Sequence, residues 1–288
     1  MKLVVDSNQL QSETLRRYLA GSTSNLAVLT DYAAMEAYKG DTLASIHKSM
    51  AIVCDFPRQV VVLKGTRLAC GLRGRQAALQ RRLVDDDQTA NFPRYVADLR
   101  QALAGHNDIQ RQLVDLGREA TSHLARMLAD AETTGQVMED IAARYSKEER
   151  ASVRRDLIYS GEFVDKTVRA VLNISAQMFR DHPNARFRPT FAELPNTFIF
   201  RIALCTYLLA LKWAASGGVR DAKPEKLRND FVDMTFAAFA TYFDGLLTAD
   251  AKVRRIHAEA RVWLSTLFGS ELPNGWQGAA VTRTENER

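Results

Sequence analysis

The chain is short of cysteine, and the cysteines it has form no pattern. Cys54, Cys70 and Cys205 are odd in number and far apart, with no CxxC pair. That spacing argues against a disulfide framework and against a zinc site. Reduced thiols point to a cytoplasmic setting. The five histidines, His47, His106, His123, His182 and His257, are scattered and form no zinc pattern either. The glycines of "GLRG" and "ASGG" lack the spacing of a phosphate-binding loop. No Ser/His/Asp or Cys/His arrangement follows from residue order. A long apolar run free of charge is also missing. The longest, "FIFRIALCTYLLALKWAASGG" (198–218), contains Arg201 and Lys212, so it reads as a buried helix of a soluble protein and not as a membrane span. The N-terminus, "MKLVVDSNQLQSETLRRYL", meets charge too soon for a signal peptide.

What remains is an ordinary globular composition. With 288 residues, 46% of them hydrophobic, the chain can bury a substantial core. Lys plus Arg exceed Asp plus Glu by 39 to 34, a net charge of +5. That excess permits a polyanionic partner without requiring one.

Patterning divides the chain in three. "KLVVDSN" (2–8) is a short β-branched run ending in a polar corner, the signature of a buried strand feeding a loop. A helix is expected over 9–20. "SNLAVLTDYAAMEAYKG" (24–40) gives a brief apolar run and then a helix, with Thr30 or Asp31 as N-cap and Gly40 closing it. Helix continues through "DTLASIHKSMAIVCDFP". "QVVVLKG" (59–65) is the second clear strand, bounded by Pro57 and Gly65. From 66 to 216 the periodicity is almost wholly helical, with no fixed-period repeat. "GGVRDAKPEKL" (217–227) is a turn-rich connector. A helix over 228–243, a strand "GLLT" (245–248) and a helix over 251–267 follow, and the tail from 269 is polar. The expected organisation is one α/β domain in two halves, 1–65 and 225–268, around a helical insertion, 66–224.

Acidic residues punctuate the two halves. Asp6 ends the first strand, Glu36 lies on an early helix, and Asp233 lies on the helix before the last strand. Asp250 follows that strand in "LLTAD". In an open parallel sheet, ligands gather outside the carboxyl ends of the strands. Carboxylates gathered in one crevice repel one another and are stable mainly around a cation. Oxygen ligands suit Mg²⁺ or Mn²⁺, and such a site serves phosphoryl chemistry.

These acids, in this order, resemble the PIN-domain nucleases. "LVVDSN" with Asp6 is similar to that family's opening strand, "LTDYAAMEAYKG" with Glu36 to its early helix, "DMTFAAFA" with Asp233 to its small-residue helix, and "LLTAD" with Thr248 and Asp250 to its closing acid. The resemblance covers roughly 1–65 and 225–268. It implies an α/β fold with a PIN-like parallel sheet flanked by helices, and Mg²⁺ or Mn²⁺ held by Asp6, Glu36, Asp233 and Asp250. It implies phosphodiester hydrolysis by a metal-dependent endonuclease, with RNA ahead of DNA as substrate and a protein inhibitor or regulator among its partners. The long helical middle departs from the family's compact domain. Surplus acids leave alternatives open: Asp230 lies on the same helix face as Asp233, Asp244 precedes the last strand, and Asp31 opens the early helix.

Each acid also has an ordinary reading. Asp6 and Asp250 can cap the helices after them, and Asp230 and Asp233 can complement a helix dipole. Two basic stretches could track phosphates, "RLACGLRGRQAALQRRL" through Arg73 and Arg75 and "VRRIHAEAR" through Arg254 and Arg255. Both equally suit solvated surface. A non-catalytic scaffold with the helical middle as a partner surface, and a structure-specific DNA nuclease, are the competing functions.

Overall fold

Residue alternation decides which faces of the sheet are covered. In the computed structural model, which describes residues 1–39, 42–155, 159–185, 187–217 and 223–269, four short strands run β1 (Lys2–Val5), β2 (Leu26–Leu29), β3 (Val60–Val62) and β4 (Gly245–Leu247). They form one parallel sheet in the order β3-β2-β1-β4. Val4, Val28, Val61 and Leu246 point into one apolar cluster. Val5, Ala27, Leu29, Val60, Val62 and Leu247 point into the other. A parallel sheet apolar on both faces must be covered on both.

The helices supply that cover. In chain order they are α1 (Glu13–Ala20), α2 (Asp31–Tyr38), α3 (Leu43–Asp55), α4 (Thr66–Ala69), α5 (Leu79–Leu83) and α6 (Asp86–Leu103). The rest are α7 (Asn107–Ala143), α8 (Lys147–Arg155), α9 (Gly161–Asp181), α10 (Phe198–Ala215), α11 (Pro224–Ala240) and α12 (Ala251–Phe268). Leu15, Leu19, Ile46, Met50, Val53, Phe92, Val96 and Leu99 of α1, α3 and α6 pack on the β1 Val5 face. The other face meets α10, α11 and α12 through residues such as Phe198, Leu204, Phe236, Phe239 and Val253. The helical middle therefore shares both of its cores with the sheet.

Three elements differ from the sequence reading, and one open alternative is decided. The brief apolar run at 26–29, expected only to lead into the helix that follows it, is itself a full strand, β2, central between β1 and β3. Helix α1 starts late, at Glu13 under a Ser12 cap, because Asp6 first turns the chain through a 3-10 segment, Ser7–Gln9. Helix α11 starts early, at Pro224, a residue favoured in the first helical position. It also ends at Ala240, not 243. Thr30, not Asp31, caps α2. Gly40 and the tail from 270 lie outside the described residues.

Helix α10 is long and apolar enough to cross a membrane, yet 78% of it is buried inside the fold. Its Arg201 is fully buried. The guanidinium donates to Pro195 O (3.0 Å), Thr241 O (2.9 Å), Thr241 Oγ1 (3.1 Å) and Asn196 Oδ1 (3.0 Å), and lies 3.8 Å from the centre of the Tyr242 ring. These contacts lock the end of α11 just before β4. Gly74 is required nearby, because a Cβ there would lie 1.8 Å from Glu193 O.

Candidate acidic site

The acids that matter are placed by the carboxyl ends of the strands. Asp6 follows β1, and its N–H donates to Leu247 O of β4 at 3.0 Å. This register sets Asp6 beside the turn 248–250. Its side chain is only 1% exposed. It accepts from Thr248 Oγ1 (2.5 Å) and Asn8 Nδ2 (2.7 Å). Burial raises the Asp6 pKa, the Thr248 and Asn8 hydrogen bonds pull it back, and the nearby Glu36 charge raises it again.

Glu36, half-buried on α2, is held from the β1 corner by Ser7 Oγ, which donates to Glu36 Oε2 at 2.5 Å. Asp250 caps α12, accepting from Lys252 N (2.7 Å) and Val253 N (3.1 Å). Asp230 and Asp233 lie well inside α11, beyond its first turn, so they do not complement that helix's dipole. Asp233 has its carboxyl pushed up to about 7, first by burial and then by the charges of Asp6, Asp250 and Asp230, against a lowering effect of Lys252. Asp230 is 4% exposed and ion-paired through Oδ1 with Lys252 Nζ. Its Oδ2 is buried with no hydrogen-bond partner among the described residues.

Asp6, Glu36, Asp230, Asp233 and Asp250 thus line one open cavity of about 490 Å³, together with Ser7, Asn8, Asn229, Glu225, Lys223 and Lys226. Three lysines therefore face the acids: Lys223, Lys226 and Lys252. Sequence reasoning missed all three, and missed Ser7 and Asn229. Ser7 adjoins Asp6 in sequence. The lysines carry no pattern that marks them before the helices are folded.

Two other acids serve elsewhere. Asp31 is a structural cap: it accepts from Thr66 N (2.6 Å) and Thr66 Oγ1 (2.8 Å) and so fixes α4 after β3. Asp244 is not with the cluster. It lies at the amino end of β4, where its side chain accepts from Lys2 N at 2.6 Å, because a parallel strand has its two ends on opposite edges of the sheet. Arg73 and Arg75 are likewise apart from the acids. Arg73 lies over the Phe187 ring, and Arg75 faces Glu193 at 4.0 Å. Arg254 stays close, donating to Thr248 O at 3.2 Å. Arg255 is exposed on α12 and does not line the cavity.

The donor set suits a hard divalent cation. It offers oxygen donors, most of them carboxylate and one of those an unsatisfied buried atom, with Asp233 kept from ionising freely first by burial and then by its acidic neighbours. Among the described residues, no group of three or more His, Cys, Asp and Glu side chains already stands in a metal-holding arrangement. No protein-family model matches the chain, and no curated protein or solved structure matches it.

Proposed function

We propose that the chain is a PIN-like, Mg²⁺- or Mn²⁺-dependent endonuclease that hydrolyses phosphodiester bonds, of RNA ahead of DNA. One observation carries the reading: Asp6, Glu36, Asp233 and Asp250, scattered over the whole chain, line one cavity at the carboxyl edge of a parallel sheet. Asp230 joins them there. A divalent cation held by such carboxylates supplies charge stabilisation at phosphate oxygens and a water of lowered pKa. The chain's own residues do the rest. Thr248 and Asn8 fix the rotamer of Asp6, and Ser7 aims Glu36. Lys223 and Lys226 at the rim offset the charge of an incoming phosphate backbone. The order β3-β2-β1-β4, with the acid-bearing β1 central, supports the same reading.

A second reading, a non-catalytic scaffold, draws on the Lys252–Asp230 ion pair, which satisfies one acid without any cation. Thermal melting with and without Mn²⁺ separates the two. A ligand that binds only the folded state raises the melting temperature. The endonuclease reading expects a rise in the wild type that is lost in the Asp6→Asn/Asp233→Asn double variant, with Mn²⁺-dependent cleavage of RNA lost in parallel. A stable wild-type protein showing neither shift nor cleavage would favour the scaffold.

A further inference from the structure

A second groove, of about 690 Å³, opens at the ends of β2 and β3 on the same edge of the sheet. Helix α2 separates it from the acidic cavity: Tyr32 and Met35 line the groove, whereas Glu36 lines the cavity. A helix with its side chains is about 10 Å across, so the two pockets are close neighbours. Their linings differ in charge: carboxylates predominate in the cavity, whereas basic side chains outnumber acids in the groove. The groove carries Arg67 from α4, Arg126 and His123 from α7, and His182 from the turn after α9, against two acids: exposed Glu119, and half-buried Asp31, whose carboxylate is already held by Thr66 N and Thr66 Oγ1.

The basic side chains are available for a ligand. Among the described residues neither Arg67 nor Arg126 forms an ion pair, and Arg126 donates only to Ser122 Oγ at 3.1 Å. Both are exposed. His182 accepts at Nδ1 from Asn184 N (3.2 Å), so the neutral ring carries its proton on Nε2. Asn184 Nδ2 in turn donates to Arg67 O at 3.1 Å, which fixes the His182 turn beside α4. Exposed Leu116 and the His123 ring add an apolar surface; His123 is stacked obliquely on Tyr32 with ring centroids 6.3 Å apart. Paired guanidinium and imidazole donors suit phosphate oxygens. An exposed ring next to them suits an unpaired base, which a duplex would keep stacked inside.

We infer that this groove is the binding subsite for the single-stranded flank of the nucleic-acid substrate, with Arg67, Arg126 and His182 on its phosphates and His123 against a base. The strand crosses α2, so that a neighbouring phosphate reaches the acidic cavity. The inference rests on the endonuclease reading for the meaning of that cavity, but the groove itself is testable without catalysis.

The experiment is fluorescence anisotropy with short labelled oligouridylate and oligodeoxyuridylate in EDTA, which removes any cleavage. Wild type is compared with Arg67→Gln/Arg126→Gln, whose substituted positions are exposed, and thermal melting of both proteins checks the fold. The double variant is expected to bind about tenfold more weakly at low salt and to lose roughly 1.4 from the slope of log affinity against log salt, about 0.7 for each single-strand phosphate contact. Equal binding by the two proteins, or no binding of either oligonucleotide by wild type, overturns the inference. Tighter binding of oligouridylate than oligodeoxyuridylate marks the 2′-hydroxyl as read there, and equal binding assigns the groove to either strand chemistry. Mn²⁺-dependent cleavage of bis-p-nitrophenyl phosphate, too small to reach the groove, reports on the acidic cavity alone. It is expected to survive in Arg67→Gln/Arg126→Gln. Its absence from wild type, with oligonucleotide binding intact, would remove the endonuclease reading and leave the groove standing.

Discussion

Thr248 Oγ1 donates a 2.5 Å hydrogen bond to Asp6 Oδ2 across 242 residues of sequence. Both groups are buried. The bond ties the carboxyl end of β1 to the turn after β4, and it is one of few favourable partners for a carboxylate whose pKa burial has raised. Thr248→Val keeps the shape and removes the donor. Leaving a buried acceptor short of its partner costs about 1–3 kcal/mol. Urea denaturation at neutral pH is expected to show a loss of that size, and Asp6→Asn/Thr248→Val should lose less than the sum of its single changes. Strict additivity would mean that the two side chains do not interact energetically.

Asp233 predicts a dependence on pH of unusual sign. Its folded carboxyl titrates near 7, well above an ordinary aspartate. Between about pH 4 and 7 the folded state therefore holds a proton that the unfolded chain has released. Stability contributed at this position is present at low pH and is lost as pH rises through that window. Asp233→Asn, which cannot ionise, should be more stable than wild type at pH 8, by roughly 2 kcal/mol after allowance for solvent screening, and equal to it near pH 4. His257 acts in the opposite direction. Burial and then the Arg261 charge lower its pKa to about 4, so its contribution is lost as pH falls below the ordinary imidazole value. The difference between variant and wild type across pH, and not either curve alone, isolates Asp233. A difference that does not change with pH would sink the argument.

How much of this was legible beforehand depends on how local each signal is. β1, β3 and β4 are readable because valine and leucine runs end at polar corners. β2 was not, because four residues, Leu26–Leu29, are too few to show a period and a well-capped helix begins directly after them. The acids Asp6, Glu36, Asp233 and Asp250 were legible as a set because each stands at an element boundary or on a small-residue helix. Asp244 stands at a boundary too, and sequence alone did not say which edge of the sheet that boundary faces. Lys223, Lys226 and Lys252 became visible only once α11 and α12 were packed, since their meaning is a distance to acids far away in sequence.

Arg201 shows the same limit in the core. Sequence marks it as a charge inside an apolar helix; the fold reveals four hydrogen bonds to residues around 195 and 241. Arg201→Met fills much of the space but leaves Pro195 O, Asn196 Oδ1 and Thr241 O without this donor. Breaking a buried charged network costs about 3–5 kcal/mol. Chemical denaturation should find a loss in that range. The loss should persist at high salt, because these bonds are shielded from solvent. A loss below about 1 kcal/mol would show that the arginine is replaceable packing.

Lys252 and the proposed cation compete for the same carboxylate. Lys252 Nζ is ion-paired with Asp230, whose other oxygen is buried and unsatisfied, and its charge also lowers the Asp233 pKa. Lys252→Gln removes the only cation ion-paired with Asp230 among the described residues. In EDTA the variant should be less stable than wild type by about 1–3 kcal/mol, because a buried carboxylate loses its partner. In Mn²⁺ the order should change. The acids then have no internal cation to displace, so the rise in melting temperature should be larger than in wild type, and half of it should be reached at lower Mn²⁺. Isothermal titration with Mn²⁺ checks the second point directly. If the lysine instead supports metal binding, for example by holding Asp230 in place, the variant will bind Mn²⁺ more weakly than wild type. That result would identify the ion pair as part of the built site and not as a stand-in for the metal.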